Sequence, residues 1–332
     1  MSTFGDYFLD ELLALNLPPR DWLVEGLLRE ADSVIMVGNE KSGKSLFIYQ
    51  LISSLTSGQP FLDHYATFKP RKVTYIQLEG ELTDSQDRFK RLNKTLEYEY
   101  RNCLYMFRAP LEMQDRSYAQ SLQQYLLKKW NGITPDVVIF DPIYFTFTGS
   151  LSDDAVVRQF IGNLRIFKEA LNCAIILIHH THKQRWTTDG FTIEEGDEAI
   201  FGSKFFKAWA DHILLFMYDK KRGIRTLSCN TQRSGDIIKE CALRLIEPNP
   251  LYFEITYDHT IGTKELAIID LLSKHPEGLI VNDIIAHLSI QKGLFYKSIK
   301  KPLSEEVIIK SEHTRPIVYK LKPKEENKSN EP

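Results

Sequence analysis

The chain has 332 residues, 43% of them apolar and 26% charged, which predicts an ordinary globular protein with one large and one small domain. The net charge of −2 excludes a strong general attraction to nucleic acid, so any such binding has to come from local patches. We see no apolar run long enough for a membrane span, no secretory signal, and no metal-ligand spacing among the four cysteines, which together indicate a cytoplasmic protein without a zinc site.

Short apolar runs alternate with helical patterns through the first half of the chain. The predicted strands are 33–38, 72–81, 103–109, 136–142 and 173–180. The predicted helices between them are 44–58, 84–97, 117–130 and 153–171. This alternation predicts an α/β fold with a mostly parallel sheet that is covered on both faces. Residues 1–30 are expected to be a lead-in with short helical pieces.

The pattern changes after residue 180. Residues 181–200 contain few apolar side chains, and we expect them to form a long mobile loop. The segments 212–219, 223–233 and 241–256 read as later strands, and we expect these to be antiparallel. The predicted core therefore runs from residue 31 to residue 260.

A second, smaller unit is expected after Gly262. Helical patterns cover 264–278 and 279–289, and a third begins at residue 291 and is followed by strands, the last at 316–322. Three helices and a two-stranded hairpin predict a winged helix over 261–322. The polar residues 323–332 are predicted to be disordered.

Residues 38–45 read GNEKSGKS and fit the P-loop pattern G-x-x-x-x-G-K-[ST], between a predicted strand and a predicted helix. Its glycines let backbone N–H groups turn toward phosphate oxygens, and the following helix adds its positive end. Lys44 can reach the β and γ phosphates of ATP, and Ser45 can hold Mg²⁺. The plainer alternative is a glycine turn before an ordinary helix. The predicted nucleotide-binding residues are Gly38, Asn39, Glu40, Lys41, Ser42, Gly43, Lys44, Ser45 and Leu46.

Two acidic positions follow predicted strands and fit a nucleotide site. Asp141 ends the apolar strand DVVIFD and can hold the Mg²⁺ shell. Glu79 and Glu81 follow the second strand, and either can orient an attacking water, although a solvated loop carboxylate is an equal alternative for Glu79.

The order of these motifs resembles that of RecA-like ATPases of the RepA type, which are related to the hexameric DnaB-type replicative helicases. The resemblance covers about residues 20–257. It rests on GNEKSGKS, on VTYIQLEGE, on the long block from DVVIFDP to IHHTHK, and on GSKFFKAWADHILLF followed by TQRSGD. It implies a RecA-like P-loop core, Mg-ATP hydrolysis, and assembly into a homo-hexamer or another ring.

The resemblance also implies roles for single residues. Glu79 matches the catalytic glutamate and His180 matches a polar sensor of the γ-phosphate. Arg233 matches an arginine finger that reaches the neighbouring subunit's nucleotide, and its alternative is a solvated hairpin residue. Thr231 departs from the helicase pattern, which has a lysine there. Metal binding by His179, His180 and His182 is disfavoured, because adjacent strand residues point to opposite faces.

Two groups of residues suggest contact with DNA. Lys183, Arg185 and Trp186 combine charge with an aromatic platform for a single strand, although acidic residues in the same loop oppose this. The second group, on the third helix of the predicted winged helix, fits duplex phosphates and consists of Lys292, Tyr296, Lys297, Lys300 and Lys301. The alternative for that unit is protein contact.

Two functions remain open at this point. The first is a ring-forming DNA helicase or translocase in replication, recombination or the maintenance of a mobile element. The second is a DNA-bound regulator or assembly factor that ATP switches and that hydrolyses slowly without unwinding. A kinase is disfavoured, because the chain lacks an arginine-rich lid insert.

Overall fold

A computed structural model describes most of the chain. The described residues are 7–17, 19–96, 100–107, 110–180, 185–187, 190–192, 203–220, 223–232, 240–247, 249–256, 268–269, 271–288, 292–304, 307–311 and 316–322. The chain divides into two compact units. The first comprises Met1–Met217, Leu227–Glu240 and Leu245–Ile255, and the second comprises Tyr218–Thr226, Cys241–Arg244 and Thr256–Pro332.

Sixteen strands lie in the described residues. They are β1 (Trp22–Val24), β2 (Leu28–Arg29), β3 (Ser33–Gly38), β4 (Val73–Gln77), β5 (Cys103–Phe107), β6 (Val137–Asp141), β7 (Ala174–His180), β8 (Arg185–Thr187), β9 (Gly190–Thr192), β10 (His212–Asp219), β11 (Ile224–Gln232), β12 (Cys241–Ile246), β13 (Tyr252–Thr256), β14 (Leu279–Ile280), β15 (Ile308–Lys310) and β16 (Val318–Leu321).

The helices of the first unit are α1 (Leu9–Ala14), α2 (Lys44–Ser57), α3 (Leu82–Leu96), α4 (Arg116–Lys129), α5 (Asp154–Leu171) and α6 (Lys204–Trp209). Short 3-10 helices add Tyr100–Asn102 and Ile143–Phe145. Those of the second unit include α7 (Val281–Leu288), α8 (Lys292–Ser298) and α9 (Lys300–Ser304).

A nine-stranded sheet organises the fold, in the order β13-β12-β11-β10-β3-β7-β6-β4-β5. The six strands from β10 to β5 pair in parallel. Strands β3, β4, β6 and the first six residues of β7 are buried along their length, as expected for a parallel sheet with both faces covered. The predicted α/β class with a mostly parallel sheet is therefore confirmed.

The register aligns the carboxyl ends of the central strands. Gly38 at the end of β3 lies opposite His180 at the end of β7, and Gln77 at the end of β4 lies opposite Asp141 at the end of β6. Ligands of open α/β sheets bind beyond the carboxyl ends of the strands. The fold therefore brings the sequence-predicted site residues to one edge of the sheet.

Helix α2 shows why the phosphate-loop segment folds as predicted. It begins at Lys44 and ends at Gly58, whose φ of 77° suits a glycine at the end of a helix. Most of its side chains are buried, including Phe47, which packs against Phe61 and Phe216. An apolar helix of this kind must be covered on several sides, and the sheet and its neighbours provide that cover.

Several sequence-based expectations differ from the structure. Strand β10 is parallel to β3 rather than antiparallel, so it extends the central sheet. The segment 241–256 contains two strands, β12 and β13, instead of one. The lead-in contains the antiparallel pair β1 and β2 besides the helix α1. Alternation of apolar residues identifies a strand but not its neighbour, which accounts for the wrong direction.

The expected mobile loop at 181–200 is only partly described. Within it, β8 and β9 form an antiparallel pair in which Trp186 lies opposite Phe191. The expectation of a loop without strands is therefore wrong for Arg185–Thr187 and Gly190–Thr192. The other residues of this predicted loop lie outside the described residues.

The second unit has its own buried core in the described part of 268–322. Ile268, Leu272, Ile284, Phe295 and Tyr319 are among its members. Its three strands form an antiparallel sheet in the order β14-β16-β15. The segment predicted as the second helix begins with the short strand β14 and continues as α7. The segment predicted as the third helix contains the two short helices α8 and α9. The winged-helix arrangement stays a prediction.

Candidate nucleotide site

The segment between β3 and α2 forms a tight loop that only certain residues allow. Gly43 has a φ of 99° and Lys41 a φ of 58°, both in the left-handed region. A Cβ atom at Gly38 would lie 2.1 Å from the carbonyl oxygen of Phe216, so no side chain fits there. The two glycines of the sequence motif are thus required by the backbone path as well as by the expected phosphate.

Lys44 is almost completely buried, with 3% of its surface exposed. Its Nζ donates hydrogen bonds to the carbonyl oxygens of Gly38 (2.9 Å) and Asn39 (2.8 Å). Burial lowers the pKa of Lys44 to about 8, and the charges of Asp141, Glu79 and Glu40 oppose this effect. The ammonium group is therefore held at the loop by two hydrogen bonds to backbone carbonyl oxygens, although it has three N–H donors.

Asp141 ends β6 and is 2% exposed. Its Oδ2 accepts a hydrogen bond of 2.8 Å from the hydroxyl of Tyr75, while its Oδ1 is buried without a hydrogen-bond partner. Burial raises the pKa of Asp141, and hydrogen bonds with Tyr75 and Ser45 oppose the rise. A buried carboxylate oxygen beside a serine hydroxyl is a donor set that suits Mg²⁺, so these residues fit the cation that the sequence predicts.

Glu79 follows β4 and is 42% exposed at its side chain. Its Oε2 accepts a hydrogen bond of 2.7 Å from the hydroxyl of Tyr144. Its main-chain oxygen accepts a hydrogen bond of 2.6 Å from Nε2 of Gln77. Glu79 is thus held by one hydrogen bond at its carboxylate and by another at its main chain, while the side chain stays partly open to solvent.

His180 ends β7, opposite Gly38 in the parallel register. Its Nε2 lies 3.4 Å from Oε1 of Glu79. Burial and then the charge of Lys44 lower the pKa of His180, against the opposing effect of Glu79. The imidazole is consequently neutral at pH 7, so it can act as a polar contact but not as a cation.

Asp141 and Glu79 line one polar cavity of about 260 Å³. Ser45, Glu79 and Asp141 form one wall of it, and Glu81 and Arg88 lie among the remaining lining residues. Both carboxylates that were considered for the attacking water therefore border the cavity. Of the two, Glu79 is the one whose carboxylate hydrogen bond the structure defines.

The remaining loop residues have different surroundings. The side chains of Asn39, Ser42 and Leu46 are buried. Those of Glu40 and Lys41 are exposed. Lys41 has an exposed side chain and a left-handed backbone conformation, and both are common to nucleotide-binding loops and ordinary turns.

Three residues that sequence reasoning missed contribute to the site: Tyr75, Gln77 and Tyr144. Tyr75 and Gln77 are two positions apart on β4 and so lie on the same face of the sheet, near Asp141. This spacing was a usable signal, since two side chains with polar groups stand two positions apart on a buried strand. Tyr144 has no such signal, because its contact with Glu79 joins residues 65 positions apart.

The other predicted contacts do not join this cavity within the described residues. Arg233 and Lys183 lie outside the described residues, and Arg185 and Trp186 are placed only as members of β8. In the second unit, the side chains of Lys292, Tyr296 and Lys300 are exposed. Lys297 belongs to α8 and Lys301 to α9, but their side chains are outside the described set.

Two features are absent from the described part of the chain. No three or more His, Cys, Asp or Glu side chains come together there in a way that could hold a metal ion. None of the described helices combines the length and the apolar character that crossing a bilayer requires.

The fold and the site together define a P-loop ATPase: an α/β protein with a phosphate loop at the end of a central parallel strand. A family model described as AAA domain matches residues 2–185, which is more than half of the chain. The chain therefore belongs to the AAA domain family, and its core is an α/β P-loop ATPase core with a mostly parallel sheet.

Solved structures also resemble the chain. One of them, titled "Crystal structure of the RadB recombinase", has 17% sequence identity and a TM-score of 0.45, and the match covers 69% of this chain and 92% of that one. No curated protein matches the chain.

Proposed function

We propose that this protein is a RepA-type ATPase that hydrolyses Mg-ATP as a ring of identical subunits and acts on DNA in replication, recombination or the maintenance of a mobile element. The observation that carries the proposal is the meeting of Lys44, Asp141 and Glu79 at the ends of three parallel strands. Phosphate, cation and water sites are then adjacent, which is the arrangement that phosphoryl transfer needs.

Each residue has a separate task in the proposed reaction. The loop N–H groups and Lys44 hold the triphosphate, and Ser45 and Asp141 hold Mg²⁺. When bound, Mg²⁺ supplies the charge that stabilises the transferred phosphoryl group. Glu79 orients the attacking water and accepts its proton, and His180 contacts the γ-phosphate as a neutral polar group.

The ring and the DNA contacts extend the proposal beyond the site. Arg233 supplies a positive charge to the nucleotide of the neighbouring subunit. Lys183, Arg185 and Trp186 contact a single strand inside the ring, and the basic residues of the predicted winged helix contact duplex DNA. The support for these parts is the motif order of the sequence and, for Lys292 and Lys300, their exposure.

Turnover assays with matched variants test the ATPase. We expect Lys44→Ala to abolish hydrolysis and Glu79→Gln to bind ATP with only a small residual turnover. Glu81→Gln, which removes a nearby exposed charge, serves as the control and keeps most of its rate. Hydrolysis by Glu79→Gln at the wild-type rate would remove the assignment of the water-orienting carboxylate.

Sizing of the protein with Mg-ATP, with and without single-stranded DNA, tests the ring. A motor forms a larger assembly, displaces a strand and turns over faster on DNA, and Arg233→Ala binds nucleotide but loses turnover. Turnover that single-stranded DNA leaves unchanged, without strand displacement, would instead favour an ATP-switched DNA-bound regulator.

A further inference from the structure

We propose that Tyr144 and Gln77 are positioning residues that hold Glu79 from two sides, Tyr144 at the carboxylate and Gln77 at the main-chain carbonyl. This inference rests on the proposed function, because it concerns the water-orienting role of Glu79. Both contacts are direct hydrogen bonds within the first unit.

The Tyr144 hydroxyl selects which carboxylate oxygen of Glu79 does the chemistry. It donates to Oε2 at 2.7 Å, and burial and Glu79 raise the pKa of Tyr144 well above its usual value, so the hydroxyl keeps its proton. Oε1 lies 3.4 Å from His180, which is longer than an ordinary N–H···O hydrogen bond. Oε1 is therefore the oxygen that can accept a proton from water.

Gln77 acts on the backbone at the same position. Its Nε2 donates to the main-chain oxygen of Glu79 at 2.6 Å, and it is 5% exposed. Gly80, with a φ of 83°, turns the chain so tightly that a Cβ atom there would lie 3.2 Å from this nitrogen. The amide thus closes the turn that carries Glu79.

The orientation of the Gln77 amide follows from the groups at its two ends. Its Oε1 accepts a hydrogen bond from Ser85 (2.7 Å) and one from Tyr105, and the Tyr49 hydroxyl lies 3.3 Å away. A main-chain carbonyl oxygen can only accept a hydrogen bond, so the amide nitrogen has to face Glu79, and the amide oxygen then faces hydroxyl groups that can donate to it. The hydroxyl cluster of Tyr49, Ser85 and Tyr105 therefore holds the other end of the amide that donates to Glu79.

Holding a half-exposed carboxylate in one orientation matters because a displacement of about 1 Å at a reacting group can cost roughly 100-fold in rate. Without the two hydrogen bonds, the Glu79 side chain is free to point into solvent. Neither Tyr144 nor Gln77 needs to touch ATP in this role, so their loss should lower kcat and leave nucleotide affinity unchanged.

Two variants test the proposal in the full-length protein. Tyr144→Phe removes one hydroxyl, and Gln77→Glu keeps the oxygen that faces the hydroxyl cluster but loses the amide donor. We expect kcat to fall about 10- to 100-fold in each, with Kd for ATP within about twofold of the wild-type value. Tyr125→Phe, a half-buried tyrosine on α4 outside the cavity, is the matched control.

A double variant separates positioning from a general structural effect. If Tyr144 acts through Glu79, then adding Tyr144→Phe to Glu79→Gln changes the residual rate by less than about twofold. If Gln77→Glu does not fold, Gln77→Met removes the same donor without burying a charge and takes its place.

The outcomes are distinct. Turnover of Tyr144→Phe equal to that of Tyr125→Phe overturns the inference, and so does a tenfold loss of ATP affinity or an equal loss of rate in the Glu79→Gln background. A wild-type protein without ATPase activity would overturn the proposed function and this inference together. An active wild type with an inactive Glu79→Gln and an unaffected Tyr144→Phe would overturn this inference alone.

Discussion

At the scale of single residues, burial sets the charges around the phosphate loop. It lowers the pKa of Lys44 and of His180 and raises that of Asp141, so that all three directions oppose the charged form. A bound triphosphate would raise the pKa of Lys44, and a bound cation would lower the pKa of Asp141. Ligand binding at this site is therefore coupled to protonation.

The shift at Lys44 leads to a prediction for pH dependence. Its pKa of about 8 lies below the ordinary 10.5, so burial of its charge destabilises the fold fully below about pH 8, and this cost disappears as the pH rises toward 10.5. ATP binding needs the charged form. We expect the affinity for ATP to fall above pH 8, by up to about tenfold per pH unit, with proton uptake on binding in calorimetry.

Lys44→Arg is the control for this pH dependence, because a guanidinium keeps its charge over the whole range. It should bind ATP more weakly and with nearly constant affinity from pH 7.5 to 9.5. A slope in Lys44→Arg that equals the wild-type slope would contradict the assignment of the titration to Lys44.

At the scale of elements, the buried side chain of Gln50 joins α2 to the outer part of the sheet by hydrogen bonds. Nε2 of Gln50 donates to the main-chain oxygen of Phe253 at 2.9 Å, and its Oε1 accepts from the main-chain nitrogen of Phe253 at 2.8 Å. The Phe253 ring in turn lies where a Cβ atom at Gly43 would come within 2.9 Å of it. Gln50 thus fixes the strand against which the phosphate loop packs.

Gln50→Leu should lower stability, because it removes the two hydrogen bonds that this buried side chain makes with the main chain of Phe253. The loss of a hydrogen bond by a buried polar group costs about 1–3 kcal/mol. We expect a lower urea midpoint with an unchanged m-value, measured by circular dichroism. Gln59→Leu, at an exposed position after the same helix, is the control and should shift the midpoint little. Equal shifts in both would show that Gln50 does not hold the strand.

The same elements show what the sequence predicts and where it fails. The apolar run to Gly38, the helix start at Lys44 and its end at Gly58 follow from local residue chemistry, and all three are confirmed. The parallel direction of β10 depends on pairing with β3 across the chain, which no local pattern encodes. The contact between Tyr144 and Glu79 joins residues that are 65 positions apart, so no local pattern predicts it either.

At the scale of the whole molecule, the two units divide the proposed work between ATP and DNA. The first unit holds the complete polar cavity, and its site residues lie at the carboxyl ends of strands of one sheet or in the loops and helices that follow those strands. The second unit has a separate apolar core, in which Phe295 of α8 is fully buried while Lys292 and Tyr296 on the same helix are exposed. This helix therefore has a face that is available to a partner.

Lys292→Glu combined with Lys300→Glu tests whether that partner is duplex DNA. If both lysines contact phosphates, the variant should bind a duplex more weakly, and the plot of log K against log salt should become shallower by about 2. Fluorescence anisotropy over a range of salt concentrations measures both. Turnover of ATP without DNA should stay at the wild-type rate, because the catalytic cavity lies in the first unit.

Lys128→Glu combined with Lys129→Glu makes the same change in net charge on α4, at exposed positions of the first unit. A specific contact surface on the second unit predicts a smaller loss of affinity and an unchanged salt slope for this control. Equal losses in the two double variants would mean that only the overall charge of the protein matters. The assignment of Lys292 and Lys300 as duplex contacts would then be wrong.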